Sequence, residues 1–425
     1  MSHIPMSDSE CELAMSRLTP RLRQYAELLV RRGVAIQSGQ ELVVTAPVES
    51  APFVRIVVEE AYKAGAGHAT LIWGDEISRL EYDNCPVERF QELPAWKAEQ
   101  MNSLARGGAA FLWIDGEDPD ALLGIDPAKP AARAVASHRQ CADYRRGLDF
   151  GVNAWCIAGA PVLAWARKVF PDYSDAEAIY RLWVAILDTA RVSGDDPESE
   201  WETHNATLKK NKRKLNDSHF DALRYTSSNG TNLVVGMTPR HLWEGGSSTT
   251  KAGVTYFPNM PTEEVFTSPD RNRVEGVVHS ALPLVHNGSV IRDFWLRFEN
   301  GEVVDYGAER GLDVLRNILE TDEGARHLGE CALISKNTPI RQSGLLFYNT
   351  LYDENASCHL ALGMGFPECY EGGLDMDKET LLAHGVNESA QHVDFMIGTD
   401  DLDVTGIMAD GTEVPVFVHG QWSWE

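Results

Sequence analysis

The sequence has few basic residues for its size. Its 425 residues include 38 lysines and arginines against 63 aspartates and glutamates, and the formal net charge is −25. A protein that neutralises nucleic-acid phosphates needs a basic face. The one basic run, at residues 209–214, has the spacing of a solvated helix face. We therefore expect no nucleic-acid partner.

Long apolar runs and paired cysteines are also missing. No apolar run reaches the ~18 residues that a membrane span requires, and the polar, acidic N-terminus lacks the basic start and apolar core of a signal peptide. The seven cysteines are odd in number and form no Cys-x-x-Cys pair, which indicates reduced thiols. These features predict a cytoplasmic protein with no membrane partner and a disordered leader at residues 1–18.

No glycine-rich loop stands where a dinucleotide-binding fold needs one. Gly65 and Gly67 follow a helical pattern and precede a strand-like run. A phosphate-binding loop must instead follow a strand and open a helix, so that its amide groups face the phosphate. The sequence also contains no solenoid repeat and no low-complexity tract. A bound dinucleotide and a repeat architecture are therefore not expected.

Residues 19–225 alternate between helical and strand-like patterns. Strand-like runs occur at 41–46, 68–73, 108–114 and 155–157, and helical patterns occur at 22–32, 51–63 and 176–192. Short crossovers between strands imply a parallel sheet covered by helices. We predict an α/β domain with a Rossmann-like or flavodoxin-like parallel sheet.

The composition changes near residue 225. Asn-Gly pairs at 229–230, 287–288 and 300–301 are flanked by strand-like runs, and Asn-Gly accepts the positive φ values of tight hairpin turns. Residues 226–425 are therefore predicted to form a second, α+β domain that is richer in antiparallel strands.

Histidines and carboxylates recur beside the strand-like runs of this second domain. Alternation places His392 and Asp394 on one face of a strand. Burying both would be costly unless they are paired or bind a metal. His359, Glu264 and Glu330 each also have an ordinary explanation, as a core histidine, a capping acid and a solvated acid. Our hypothesis is a divalent-metal site.

Two cysteines adjoin these candidates. Cys331 follows Glu330, and Cys358 precedes His359. Alternation points each thiol away from its neighbour's face, so we expect buried free thiols and not metal ligands.

Several segments together resemble a known family. They are NMPTEEVFTSP, the Gly-Glu before ALISKNTPI, FYNTLYDENASCHLALG, the Glu-Gly-Gly and HVDFMIG. They are similar to signature segments of the thermophilic aminopeptidases, the metallopeptidases typified by aminopeptidases T and S. The resemblance implies an α/β domain, a C-terminal catalytic metallopeptidase domain of largely unique fold, and a homodimer. It also implies two divalent ions per subunit, Zn²⁺ or Co²⁺, with Mg²⁺ or Mn²⁺ as further candidates.

The resemblance also implies a ligand set. The family's ligands fall on Glu264, Glu330, His359, His392 and Asp394, with Glu330 as the bridge between the two ions. Three carboxylates against a charge of +4 leave net positive charge to acidify a shared water. The implied reaction is hydrolysis of the first peptide bond of a peptide, or of a small amide.

A further carboxylate adjoins this set. Glu354 lies five residues before His359. We interpret it from this proximity as a proton shuttle, with a structural role in the Asp-Glu-Asn turn as the alternative.

One position departs from the family. The family usually has a tyrosine immediately before the position of Pro367, where its phenol is taken to donate to the oxyanion. This sequence has Phe366, whose ring cannot donate a hydrogen bond. Either Tyr370 or Tyr352 has taken over as donor, or the substrate is a more reactive, non-peptide amide.

Two alternatives from other classes remain at this stage. Pyridine-diol ring-opening dioxygenases resemble the C-terminal part of the family and hold a single Fe²⁺ with two histidines and an aspartate, for which His359, His392 and Asp394 are candidates. Glu264 and Glu330 favour the dinuclear hydrolase, because a mononuclear site does not need them. The second alternative is a non-catalytic binding protein derived from a peptidase, which the complete ligand set disfavours.

Overall fold

The computed structural model describes residues 6–75, 77–286 and 288–425. The chain forms two compact units. The first comprises residues 1–204, 247–261 and 346–351, and the second comprises residues 205–246, 262–345 and 352–425. Statements about structure below refer to the described residues.

The chain up to residue 218 alternates helices and strands. Its helices are α1 Asp8–Leu28, α2 Ala51–Lys63, α3 Ile77–Asn84, α4 Ala95–Arg106, α5 Ala128–Gln140, α6 Ala142–Asp149, α7 Leu163–Val169, α8 Asp175–Thr189 and α9 Pro197–Ser218. Its strands are β1 Glu41–Pro47, β2 His68–Gly74, β3 Ala110–Asp115 and β4 Trp155–Gly159.

The rest of the chain is dominated by strands. They are β5 Ala222–Thr226, β6 Asn232–Met237, β7 Ser248–Thr249, β8 Thr255–Tyr256, β9 Asn259–Met260, β10 Val265–Thr267, β11 Pro269–His279, β12 Leu284–His286, β13 Ser289–Glu299, β14 Glu302–Arg310, β15 Leu328–Leu333, β16 His359–Gly363, β17 His392–Met396, β18 Asp403–Ile407, β19 Glu413–Val418 and β20 Gln421–Trp422. The helices here are α10 Leu312–Leu319, α11 Pro339–Ser343, α12 Thr350–Glu354 and α13 Lys378–Ala383.

The first unit contains the predicted parallel sheet. Its strands follow the order β2-β1-β3-β4-β9, and each neighbouring pair is parallel. This is the flavodoxin-like order 2-1-3-4-5. Aromatic rings join the helices of the unit, since Phe53 of α2 stacks on Tyr25 of α1 at 5.5 Å and meets Trp183 of α8 at 5.2 Å. The prediction of an α/β domain is confirmed.

The predicted leader is wrong from residue 8 onward. α1 begins there with a capping box, in which the Ser7 side chain accepts from the Glu10 N–H and the Glu10 carboxylate accepts from the Ser7 N–H. Such a box satisfies two amide groups that a helix start would otherwise leave unpaired. Pro20 lies inside the helix. Residues 1–5 of the predicted leader lie outside the described residues.

The chain divides between residues 204 and 205 and not near residue 225, and two later segments return to the first unit. One of these segments supplies β9, which pairs with β4 in the parallel sheet. The change in composition marks the first antiparallel hairpin, and the continuous helix α9 hides the division from a pattern-based reading.

The second unit is largely antiparallel, as predicted. The pairs β5–β6, β12–β13 and β13–β14 are antiparallel hairpin neighbours. Positive φ values at Gly230, Asn300 and Gly301 agree with their Asn-Gly turns, whereas Asn287 lies outside the described residues. The unit also holds a smaller sheet in the order β10-β15-β16-β17. We call it the small sheet.

Candidate metal centre

The two faces of the small sheet differ in chemistry. Successive side chains of a strand point to opposite faces. One face of β15, β16 and β17 contributes apolar side chains to the hydrophobic core, namely Cys331, Leu333, Leu360, Leu362, Val393 and Phe395. The alternate positions carry the predicted ligands Glu330, His359, His392 and Asp394. The pleat therefore gathers the polar groups on one side without breaking the core on the other.

Small residues separate the functional side chains on this face, which we call the site face. Glu330 lies opposite Ala361, and Ala361 lies opposite Asp394. In the next row, Ala332 lies opposite His359. Since cross-strand neighbours are about 5 Å apart, the alanines leave room above the sheet for the longer side chains to converge.

Glu264 completes the cluster from the loop before β10. Its Oε2 lies 3.4 Å from Nε2 of His359. The preceding residue is fixed, because the Glu263 N–H donates to Oδ1 of the buried Asn355 at 2.7 Å. The Asn355 amide also donates to Oε1 of Glu354 at 3.3 Å. Asn355 therefore holds the loop of Glu264 and the carboxylate of Glu354 together.

Backbone carbonyls orient both histidines. Nδ1 of His359 is 3.0 Å from the Glu354 carbonyl oxygen, and Nδ1 of His392 is 2.7 Å from the Met364 carbonyl oxygen. A carbonyl only accepts hydrogen bonds, so each Nδ1 carries the proton. Nε2 of each ring then faces the carboxylates. A second hydrogen bond of this kind is usual for histidines that bind metals.

The ligand atoms form two groups that share one residue. Nε2 of His392 lies 3.0 Å from Glu330 Oε2 and 3.1 Å from Asp394 Oδ1. Glu264, Glu330 and His359 offer ligand atoms within 4.8 Å of one another, and so do Glu330, His392 and Asp394. All five residues predicted as ligands are thus brought together. Carboxylate and imidazole donors suit Zn²⁺, Co²⁺ and Mn²⁺.

The electrostatics show how strongly the carboxylates interact. Burial, and then the charge of Glu330, raises the pKa of Glu264 to about 8. Burial alone would raise the pKa of Asp394, but the charge of His392, its hydrogen bond and the charge of His359 together outweigh burial and lower this pKa to about 2. Burial would likewise lower the pKa of His359, but the charges of Glu330, Glu264 and Asp394 raise it. The cluster therefore stabilises positive charge, whether from protons or from metal ions.

Glu354 and Phe366 both adjoin this centre. Burial, followed by the charges of Asp394, Glu264 and Glu330, raises the pKa of Glu354 well above its usual range. The Phe366 ring lies 4.9 Å from the His392 ring, centroid to centroid. The backbone N–H of Phe366 donates to Ser268 Oγ at 2.7 Å.

Tyr370 and Tyr352 are the two tyrosines considered as alternative donors. Tyr370 stacks on His384 at 5.1 Å and packs with Leu381 and Val386. Tyr352 is fully buried in α12. Phe366 is in ring contact with the candidate ligand His392.

The prediction of buried thiols is confirmed. Cys331 and Cys358 are free and buried, and burial raises the pKa of Cys358 to about 12. Its thiol accepts from the Ile334 N–H at 3.3 Å. Both cysteines support the core behind the ligands.

The sequence reading missed the residues that position the ligands. Asn355 and Ser268 stand in ordinary polar contexts, and the carbonyls of Glu354 and Met364 carry no side-chain signal. The Asp-Glu-Asn turn was the one usable indication for Asn355.

The first prediction concerns pH and stability. A histidine must be neutral and a carboxylate ionised to bind a cation, so the affinity for metal should rise with pH. Bound metal stabilises the folded state, and this stabilisation should be present at pH 8 and lost toward pH 5. A chelator should lower the melting temperature at pH 8 and have little effect near pH 5. An unchanged melt at pH 8 after verified metal loss would contradict this.

Comparisons with known proteins identify relatives of this chain. Residues 18–422 match the family model described as thermophilic metalloprotease (M29). The chain is 43% identical over 411 residues to aminopeptidase AmpS of Bacillus subtilis (strain 168), which covers 96% of this chain and all of the relative. Aminopeptidase T of Thermus aquaticus is 42% identical, with 96% of this chain and all of the relative covered.

A solved structure supports the fold. Wild-type AmpT from Thermus thermophilus matches with a TM-score of 0.89 and 42% identity, covering 96% of this chain and all of that one. These matches do not favour the dioxygenase alternative. The chain therefore belongs to the thermophilic metalloprotease (M29) family and is a metalloaminopeptidase, as the sequence predicted.

Proposed function

We propose that the enzyme uses two divalent ions to hydrolyse the N-terminal peptide bond of its substrate. Glu264, Glu330 and His359 would hold one ion, and Glu330, His392 and Asp394 the other. The observation that carries this proposal is the pair of ligand groups that share Glu330. When bound, such ions polarise a carbonyl and lower the pKa of water, which makes hydrolysis feasible at neutral pH.

Charge balance supports two ions over one. Glu264 and Glu330 are both more than nine-tenths buried, and the ion-pair partners that the structure gives for Glu264, Glu330 and Asp394 are imidazoles. Neutral imidazoles leave three negative charges in a poorly solvated site, which is costly. Two divalent ions would reverse the sign of the cluster, whereas one would leave it negative.

Glu354 is proposed as the proton shuttle. Its carboxylate would accept a proton from the attacking water and return it to the leaving amine. Its interaction with Asp394 and Glu264 supports a place beside the reacting groups. Its own backbone carbonyl fixes His359, and Asn355 holds its carboxylate. The residue is therefore held at both its backbone and its side chain.

We also propose which ions bind, how the subunits assemble and in which compartment the enzyme works. Zn²⁺ and Co²⁺ are the preferred ions, with Mg²⁺ and Mn²⁺ as further candidates, because the ligands mix imidazole and carboxylate donors. A homodimer and a cytoplasmic location complete it. Seven free cysteines, all within the described residues, agree with a reducing compartment. No described helix is long and apolar enough to span a membrane.

A non-peptide amide is the second candidate substrate, and Phe366 favours it. The phenyl ring against His392 has no hydrogen-bond donor. An amide with a better leaving group than a peptide amine needs less stabilisation of the oxyanion. This candidate changes the substrate and keeps the metal-dependent hydrolytic chemistry.

The second prediction tests the activity and the metal count. Metal-stripped protein should hydrolyse aminoacyl chromogenic amides only after Zn²⁺, Co²⁺, Mn²⁺ or Mg²⁺ is restored. Elemental analysis of the active form should give two non-redox ions per chain. One iron per chain would support the dioxygenase instead, and no cleavage with any metal would remove the peptidase proposal.

The third prediction separates the shuttle from a ligand role at Glu354. Glu354→Gln keeps the shape and removes the basic carboxylate, so turnover should fall about 10²-fold or more while both ions are retained. Glu379→Gln, at an exposed position of α13, is the matched control and should behave like the parent. Loss of one ion per chain in Glu354→Gln would show that Glu354 is a ligand.

The fourth prediction concerns Phe366. A missing oxyanion donor typically costs ~10²–10³ in rate, so Phe366→Tyr should raise turnover on aminoacyl amides at least about tenfold with unchanged metal content. Phe170→Tyr, in the first unit, is the matched control. If turnover stays flat in Phe366→Tyr but collapses in Tyr370→Phe or Tyr352→Phe, another donor serves. If none of these changes matters, Phe366 only packs.

A further inference from the structure

We propose that Phe266 and Phe366 form the subsite that binds an apolar side chain of the substrate's N-terminal residue. This inference rests on the proposed function, because it assigns the substrate class of the same site. It predicts an aminopeptidase selective for leucine- and phenylalanine-like N-terminal residues.

The register of the small sheet places Phe266 on the site face. Phe266 of β10 lies opposite Ala332 of β15, and Ala332 lies opposite His359 of β16. The neighbours of Phe266 on its own strand, Val265 and Thr267, are fully buried, whereas Phe266 is partly exposed. Alternation therefore points Phe266 to the same side as the candidate ligands.

Sequence spacing leads to the same position. Glu264 lies two residues before Phe266, so an extended backbone directs both side chains to one face. The Glu264 carboxylate reaches Nε2 of His359. Phe266 thus stands beside one ligand and across the sheet from another, with the methyl group of Ala332 between.

Phe366 extends this apolar surface toward the second ligand group. The rings of Phe266 and Phe366 meet at 5.5 Å and an angle of 70°, an edge-to-face contact. Phe366 in turn lies 4.9 Å from the ring of His392. The two phenylalanines form an aromatic wall that spans from the side of Glu264 to His392, and both remain partly exposed.

The chemistry of this wall selects for apolar groups. Two phenyl rings offer no hydrogen-bond partner to a polar side chain, and burying an unpaired polar or charged group is costly. With two ions bound, three ligand carboxylates leave the centre with net positive charge, so a cationic side chain gains nothing from it. An apolar pocket discriminates by about 10- to 200-fold per methylene group.

Kinetics with a fixed leaving group test the subsite. The parent enzyme should show a kcat/KM for leucine and phenylalanine p-nitroanilides at least about tenfold above that for the alanine, glutamate and lysine compounds. Phe266→Ala should remove this preference, so that the ratio of kcat/KM for the leucine and phenylalanine compounds to that for the alanine compound falls at least about tenfold. Phe266→Leu should keep the leucine preference, and it guards against a folding defect in the alanine variant. Phe170→Ala is the control for a partly exposed phenylalanine elsewhere.

Binding provides a readout that does not require turnover. Free L-leucine and L-phenylalanine should raise the melting temperature of the metal-loaded parent more than L-alanine or L-glutamate do, and Phe266→Ala should lose this difference. Metal content should be equal in the parent and all three variants.

The outcomes separate the subsite from the proposed function. If no aminoacyl amide is cleaved, the proposed function fails, and the binding difference alone decides the subsite. If the parent cleaves amides but prefers alanine or a charged residue, the subsite is overturned and the function stands. An equal loss for all substrates in both Phe266 variants would make Phe266 a structural residue and would also overturn the inference.

Discussion

The arrangement of the second unit depends on the free energy required to bury several carboxylates together, away from water. Glu264 and Glu330 are more than nine-tenths buried, and this burial, together with the charge of Glu330, raises the pKa of Glu264 to about 8. Hydrogen bonds alone do not balance such a cluster, because each added acid makes the ionised form of the next one less stable. Two imidazoles with their Nδ1 protons fixed on backbone carbonyls turn acceptor nitrogens toward the same space. Divalent cations would satisfy all of these groups at once, and this would account for so dense a cluster of acids.

The small sheet makes this concentration of charge compatible with a stable fold. Its core face contributes Leu360, Leu362 and Val393 to a continuous hydrophobic cluster, so the polar face requires no loss of packing. Close contacts between backbones also matter. Gly363 has a φ of 105°, and a Cβ at this position would come within 2.2 Å of the Gln391 carbonyl oxygen. Only glycine fits there. The absence of a side chain lets the end of β16 lie close to His392, the first residue of β17. The position of the candidate ligand His392 thus depends on Gly363, a residue without a functional group.

The sequence could nominate the candidate ligands that the structure brings together, but not the surface around them. Glu264, Glu330, His359, His392 and Asp394 each have a titratable side chain within a recognisable motif, so both chemistry and resemblance point to them. Strand alternation was also readable, and it correctly assigned Cys331 and Cys358 to the core. Pairing between distant strands was not readable. The local pattern does not predict that β9 pairs with β4 in the parallel sheet. It also does not predict that Phe266 lies opposite Ala332, which in turn lies opposite His359. The early start of α1 was hidden because its first residues are polar and acidic.

Phe366 is a residue for which both the sequence and the structure are informative. Its departure from the family pattern is visible in the sequence, but the sequence does not say what the ring touches. In the structure it contacts both His392 and Phe266, so one phenyl group adjoins a candidate metal ligand and the proposed aromatic wall. Losing a hydroxyl at this point removes a hydrogen-bond donor and makes the wall more apolar in the same step. This change would slow the hydrolysis of ordinary peptides, because oxyanion stabilisation acts on the reacting carbonyl. It would also strengthen selection for apolar side chains, because the aromatic wall acts on the side chain beside that carbonyl. The rate effect and the selectivity effect are therefore separable in principle, although a single residue contributes to both.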